Sequence, residues 1–105
     1  MITIRKILHA VGKKREIKEF IFELYIAGET PISLKAVLNA KAIFEKYYKN
    51  NYALQVFDIH QNPALAVKED LVAVPLLIRK NPLPEIRMIG DFSDTQKVKN
   101  EFLIR

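Results

Sequence analysis

The chain has 105 residues, a net charge of +5, an apolar half and no cysteine. Such a length holds one domain with a single core, and the composition excludes disulfides, thiolate metal sites and dithiol redox chemistry. No apolar run approaches the ~20 residues of a membrane helix, and no secretory h-region is present, so a cytoplasmic protein without a membrane partner is expected.

Residues 1–18 read as a basic N-terminal extension to a domain over 19–105. Arg5, Lys6, Lys13, Lys14, Arg15 and Lys18 stand there against Glu16 alone and account for the whole net charge. A basic arm suits nucleic acid or anionic lipid. No aromatic is interleaved to stack on bases, so a solvated or lightly docked extension is expected, and nucleic acid is not. Ile4, Ile7, Leu8 and Val11 give it a weak helical period that breaks at Gly12.

From Glu19 the pattern changes. Phe20, Phe22, Leu24 and Ile26 alternate with Ile21, Glu23 and Tyr25, which predicts a strand buried on both faces. Gly28 ends it, Thr30 is placed as a helix N-cap, and Pro31 takes the first helical position, where its missing N–H costs nothing. Backbone N–H groups at such a start can hold an anion, although Gly28 alone forms no glycine-rich phosphate loop. Pro31 to Tyr48 predicts a long amphipathic helix with a stripe of Leu34, Val37, Leu38, Ala40, Phe44, Tyr47 and Tyr48. Asn50 and Asn51 are expected to end it.

Tyr52 to Ile59 predicts a second strand, and its connection through a helix implies a parallel, right-handed crossover. Asn62 and Pro63 repeat the cap-then-proline device and open a short helix to about Asp70. Leu71 to Ile78 is apolar and interrupted by Pro75. Its period does not distinguish a strand from a buried helix, while Pro75 excludes a regular central ladder at that point and makes a cis bond worth considering. After the turn at Asn81 to Pro84, Glu85 to Ile89 closes a hairpin with Leu76 to Lys80, and Gly90 and Asp91 break it. Ser93 with Gln96 makes a capping box for a last helix through Val98, Phe102 and Leu103.

The order β-α-β-α-β-β-α, with a proline just before the third strand, resembles the thioredoxin-like α/β arrangement. There the active dithiol sits at the start of the first helix, opposite a cis-proline, whereas Gly28 to Ser33 holds no cysteine. Four blocks, LYIAGETPIS, YALQVFDIHQNPALA, LVAVPLL and IRMIGDFSD, in this order and spacing closely resemble the KaiB family of the bacterial circadian clock, over roughly residues 19–104. The resemblance implies a non-enzymatic regulatory protein, without cofactor, that binds a KaiC-like hexameric ATPase in circadian timing or a related stress-adaptation system. It also implies a homotetrameric ground state with a rearranged C-terminal half, and a rare thioredoxin-like monomer that binds the partner. Lys35, Tyr52, Ala53 and Arg79 match positions the family uses against KaiC. Pro75, Pro82, Pro84, Gly90 and Asp91 fall in the half that switches fold. Clock proteins of cyanobacteria carry further lysines where this chain has Gln55, Gln61 and Asp70. The sensor module of clock-output histidine kinases has the same domain type. No kinase region follows here, and a stand-alone protein is expected.

Little else in the chain supports chemistry. His9 and His60 have no acid or nucleophile pattern around them, and Ser33 and Ser93 sit in no nucleophile elbow. Asp58, Glu69 and Asp70 match no metal-binding spacing, so no catalytic and no metal residue is assigned. The alternative function, from the fold alone, is a thioredoxin-fold oxidoreductase or glutathione-dependent transferase in which Thr30 or Ser33 polarises a thiol. For the free protein the resemblance and mass action predict a tetramer that buries Leu71, Val72, Val74, Leu76 and Leu77 between subunits, with helix somewhere within 71–90.

Overall fold

A computed structural model of the chain describes residues 18–102. The extension assigned to residues 1–18, His9 included, lies outside the described residues apart from Lys18, as does Leu103. Four strands and three helices follow: β1 (Phe20–Ile26), α1 (Pro31–Tyr48), β2 (Tyr52–Asp58), α2 (Ala64–Lys68), β3 (Leu76–Asn81), β4 (Ile86–Ile89) and α3 (Thr95–Phe102). The sheet order is β2-β1-β3-β4. β1 runs parallel to β2, from Phe20 beside Tyr52 to Ile26 beside Asp58, and antiparallel to β3. β3 and β4 form an antiparallel hairpin.

The alternation in β1 places one set of side chains under α1 and α3 and the other under α2. On the first side Phe22, Leu24 and Leu77 are fully buried with Phe44 and Phe102. The Phe22 and Phe44 rings stack at 3.9 Å, and Phe20 stacks on Tyr48 at 3.8 Å. On the second side Tyr25, Leu76 and Ile78 pack against Phe57, Leu65 and Val74. The Tyr25 hydroxyl donates to Glu23 at 2.8 Å, and burial followed by that carboxylate pushes the phenol well above its ordinary value. Lys80 gathers Glu85, Glu69 and Glu23 at 3.0, 3.4 and 3.9 Å. Burial disfavours its charge, but the Glu85 hydrogen bond and the other two carboxylates outweigh this and raise the ammonium above its usual range.

Helix α1 has the expected bounds, but its buried stripe is displaced. Ser33, Ala36, Ala40, Ile43, Phe44 and Tyr48 are buried, while Leu34 and Leu38 are 51% and 67% exposed. Spacings of three and four from Ser33 through Ala36, Ala40 and Phe44 define the inner face. Small residues there let the helix lie close on the sheet, and Leu34 sits about 100° round from them.

Three expected caps are not made by the residues the sequence offered. Lys49, at φ 52°, ends α1, while the Asn51 side chain clamps Glu19 by accepting from its N–H at 3.0 Å and donating to its carboxylate at 3.1 Å. Asn62 caps nothing, because α2 starts from Pro63 without a side-chain cap. Asp94 rather than Ser93 caps α3, accepting from the Lys97 N–H at 3.1 Å, and Gln96 turns to Asn100.

The helix expected within 71–90 is not formed. β3 lies between β1 and β4, and Leu76, Leu77 and Ile78 are 3% exposed or less inside the single chain. Their burial therefore needs no second subunit. Val72, by contrast, is 86% exposed. The hairpin pairs Leu76 with Ile89 and Arg79 with Ile86, as the local reading of the sequence predicts. The Val74–Pro75, Asn81–Pro82 and Leu83–Pro84 bonds are cis. Pro75 stands just ahead of the ladder, where its carbonyl accepts from the Gly90 N–H at 3.0 Å.

Candidate partner-binding face

The turn from β1 into α1 is tied by side chains. The Thr30 hydroxyl oxygen accepts from the Ser33 N–H at 3.2 Å, and the same hydroxyl donates to Ser33 Oγ at 2.9 Å, with Ser33 2% exposed. Gly28 has a φ of +72°, and a Cβ there would stand 2.9 Å from His60 Nδ1. Gly28→Ala is expected to cost about 1–2 kcal/mol from the left-handed backbone, read as a shift in urea midpoint. Because that angle persists, adding His60→Ala should restore only a minor part of it.

Asp58 closes the same corner by accepting from the Gly28 and His60 N–H groups, each at 2.9 Å. Those two bonds, Gly28's first, hold its carboxyl below the ordinary 3.8. Asp91 is lowered by hydrogen bonds from Ser93 and then by Lys35, and Glu85 by the bond from Lys80, against some opposition from burial. Since the folded values lie below the unfolded ones, the stability these groups give is full above the unfolded range of about 4 and is lost as pH falls through the folded values. Urea midpoints should therefore drop between about pH 6 and about pH 3. Asp58→Asn, which still accepts both N–H groups, should narrow that difference.

Along α1 the outer face carries Leu34, Lys35 and Leu38. Lys35 is 64% exposed and stands 3.7 Å from Asp91, whose carbonyl also accepts from the Asn39 side chain at 2.8 Å. Beyond Leu38 a groove of about 540 Å³ opens between α1 and the outer edge of β2. Val37, Lys41 and Glu45 form one wall, and Tyr52, Leu54 and Val56 form the other. The Tyr52 hydroxyl bridges the walls by donating to Glu45 at 2.8 Å. Burial, then Glu45, pushes its pKa up to about 12.

Of the residues singled out from the sequence, Tyr52 and Ala53 meet in this groove, although Ala53 is only 2% exposed. Lys35 lies on the same helix near its start. Arg79 is elsewhere and faces inward, 3% exposed, in β3 beside Phe22. Its guanidinium donates to the carbonyls of Pro82, Pro84 and Phe102 at 3.0, 3.0 and 2.9 Å. It thereby ties the hairpin turn, Pro82 and Pro84 included, to the end of α3. Glu69 belongs to the Lys80 network, and Asp70 has a positive φ at the end of α2. Among the described residues no group of three or more His, Cys, Asp or Glu is placed to hold a metal ion, and no helix is long and apolar enough to cross a membrane. Lys41 and Glu45 escaped the sequence reading. The one signal for them was a lone acid among Lys41, Lys46 and Lys49, seven residues before Tyr52.

Solved structures share the architecture. The N-terminal domain of Synechococcus elongatus SasA superposes with a TM-score of 0.65 at 20% identity, over 90% of this chain and 96% of that one. Mitochondrial thioredoxin 3 of Saccharomyces cerevisiae gives 0.62 at 12% identity, over 93% and 87%. At these identities the likeness is one of fold, and the fold is thioredoxin-like. Sequence relatives are nearer. The circadian clock oscillator protein KaiB of Synechococcus elongatus is 44% identical over 81 residues, which is 77% of this chain and 79% of the relative. That of Thermosynechococcus vestitus is 42% identical over 81 residues, or 77% and 75%. The KaiB domain model matches residues 23–103, from the middle of β1 past the end of α3, and the chain belongs to the KaiB family.

Proposed function

We propose that this protein is a non-enzymatic regulatory subunit that engages a KaiC-like hexameric ATPase, in circadian timing or a related stress-adaptation system of the cytoplasm. The observation that carries the reading is the 44% identity over 81 residues to a clock oscillator protein, within a family match spanning all of α1 and β2. Lys35 and Tyr52 supply the contact, with the basic Lys35 suited to an acidic partner face, and the buried Ala53 backs it from within β2. Arg79 serves the same surface indirectly, by holding the hairpin in place. The free protein rests as a homotetramer, and Pro75, Pro82, Pro84, Gly90 and Asp91 belong to the half that rearranges when the binding-competent form is released. Thiol chemistry is not favoured, since the chain has no cysteine and the Thr30 and Ser33 hydroxyls are engaged with each other at the helix cap.

The test is to incubate the protein with its cognate KaiC-like ATPase for about a day and resolve the mixture by size-exclusion chromatography. Long incubation matters because apparent affinity falls with the population of the competent state. A co-eluting complex, weakened by Lys35→Glu and by Tyr52→Ala, is expected. Absence of any complex would overturn the reading, and so would glutathione-dependent thiol transfer with measurable turnover.

A further inference from the structure

Among the described residues the groove between α1 and β2 is open along the outer edge of β2. β2 is an edge strand, and among the described residues nothing pairs with its outer edge. Leu54 and Val56 are consequently only half-buried there, with Val37 across from them. An apolar cleft on an edge strand is a place where another segment adds on.

The chain itself delivers such a segment. Lys18, the first described residue, lines one end of this groove and donates to the Asn50 carbonyl, and Glu19 is clamped by Asn51. The preceding residues are therefore tethered at the groove mouth. They carry Ile4, Ile7, Leu8 and Val11 at i, i+3, i+4 and i+7, without a proline. In helical form these four side chains share one face, and residues 4–11 extend about 12 Å at the helical rise. The seven residues of β2 extend about 23 Å, so the segment fits alongside. Gly12 to Lys18 span up to about 20 Å, enough to let the segment fold back from its tether. In the same helical form Arg5 and Lys6 would lie more than 90° round from the centre of that face, about 100° being turned per residue. A linker of this length that spans the distance gives roughly millimolar effective concentration, so a weak contact suffices for docking.

We propose that residues 4–11 dock in cis into the groove between α1 and the outer edge of β2, with Ile4, Ile7, Leu8 and Val11 against Val37, Leu54 and Val56. Because Tyr52 lines the same groove, a docked segment also covers that residue of the proposed partner face. That consequence rests on the function proposed above, whereas the docking does not.

Because the chain has no cysteine, Lys6→Cys gives a single site for a nitroxide label on the full-length protein. Amide signals of Lys41, Leu54 and Val56 should broaden in isotopically labelled protein that carries its own nitroxide at low concentration. They should not broaden when unlabelled nitroxide protein is mixed with isotopically labelled protein lacking the nitroxide. Ile7→Asp with Leu8→Asp in the same chain should abolish the broadening and leave the hairpin amides of Arg79 and Met88 unshifted. Broadening confined to the mixture would mean that the segment docks on a second copy. That result, no broadening in either sample, or broadening that survives the double substitution would each overturn the proposal.

Discussion

Arg79→Met is expected to destabilise the folded chain by about 3 kcal/mol, seen as a lower urea midpoint with an unchanged slope. The side chain is 3% exposed and satisfies three carbonyls, two in the hairpin turn and one at the end of α3. Charged donors make the stronger hydrogen bonds, and an acceptor left unpaired on burial carries a desolvation cost. Pro84 is exposed, so water replaces the bond to its carbonyl; the Phe102 carbonyl lies under a buried residue and is the main loss. Arg79→Lys should recover less than half, since an ammonium offers a point charge where the planar fork reaches three acceptors in different directions. The positional resemblance assigns this residue to the partner, whereas its geometry assigns it to the hairpin turn and the end of α3. A stability loss below about 1 kcal/mol accompanied by weaker ATPase binding would instead place the guanidinium on the surface.

Much of this arrangement is legible in the residues because local signals and burial agree. β1 announces itself by apolar residues at both parities, and α1 by Thr30–Pro31 at its start. The hairpin is legible from its punctuation, with Pro82 and Pro84 in the turn and Gly90 beyond it. Where reading by bulk misled, geometry was the reason. Leu34 and Leu38 look like core, but Ser33, Ala36 and Ala40 occupy the inner face since only small residues permit that approach. Ser93 matches a capping box, yet its own N–H bonds to Asp91 and the helix begins one turn position later, from Asp94. The groove was partly hidden. Tyr52 is visible from the family pattern, but that Glu45 meets it depends on the crossing of α1 over β2, which no local spacing encodes. The expectation of helix within 71–90 came from the family resemblance to a rearranged tetramer, with Leu76 and Leu77 between subunits, whereas in the single chain the sheet buries both.

Phe22→Ala is expected to have the largest effect of any single substitution argued for this chain, about 3–5 kcal/mol. The ring is fully buried and stacks on Phe44 at 3.9 Å, with Tyr48 and Phe102 at 6.0 and 6.1 Å. It joins β1 to α1 and to the far end of α3, so its removal opens a cavity where three elements meet. The backbone around it is held by neighbouring strands on both sides and has little freedom to collapse into the space. Domains of this size are stable by about 5–15 kcal/mol, which places the variant near the limit of folding. Its melting temperature should fall by at least about 12 °C at 4–8 °C per kcal/mol, measured by circular dichroism. Leu38→Ala provides the control. Its side chain is also large and apolar and lies on α1, but it is 67% exposed, so the change should stay within about 0.5 kcal/mol. Equal losses at the two positions would mean that α1 sits rotated on the sheet, with Leu38 inward. The face formed by Lys35, Leu38 and the groove would then no longer exist as a surface.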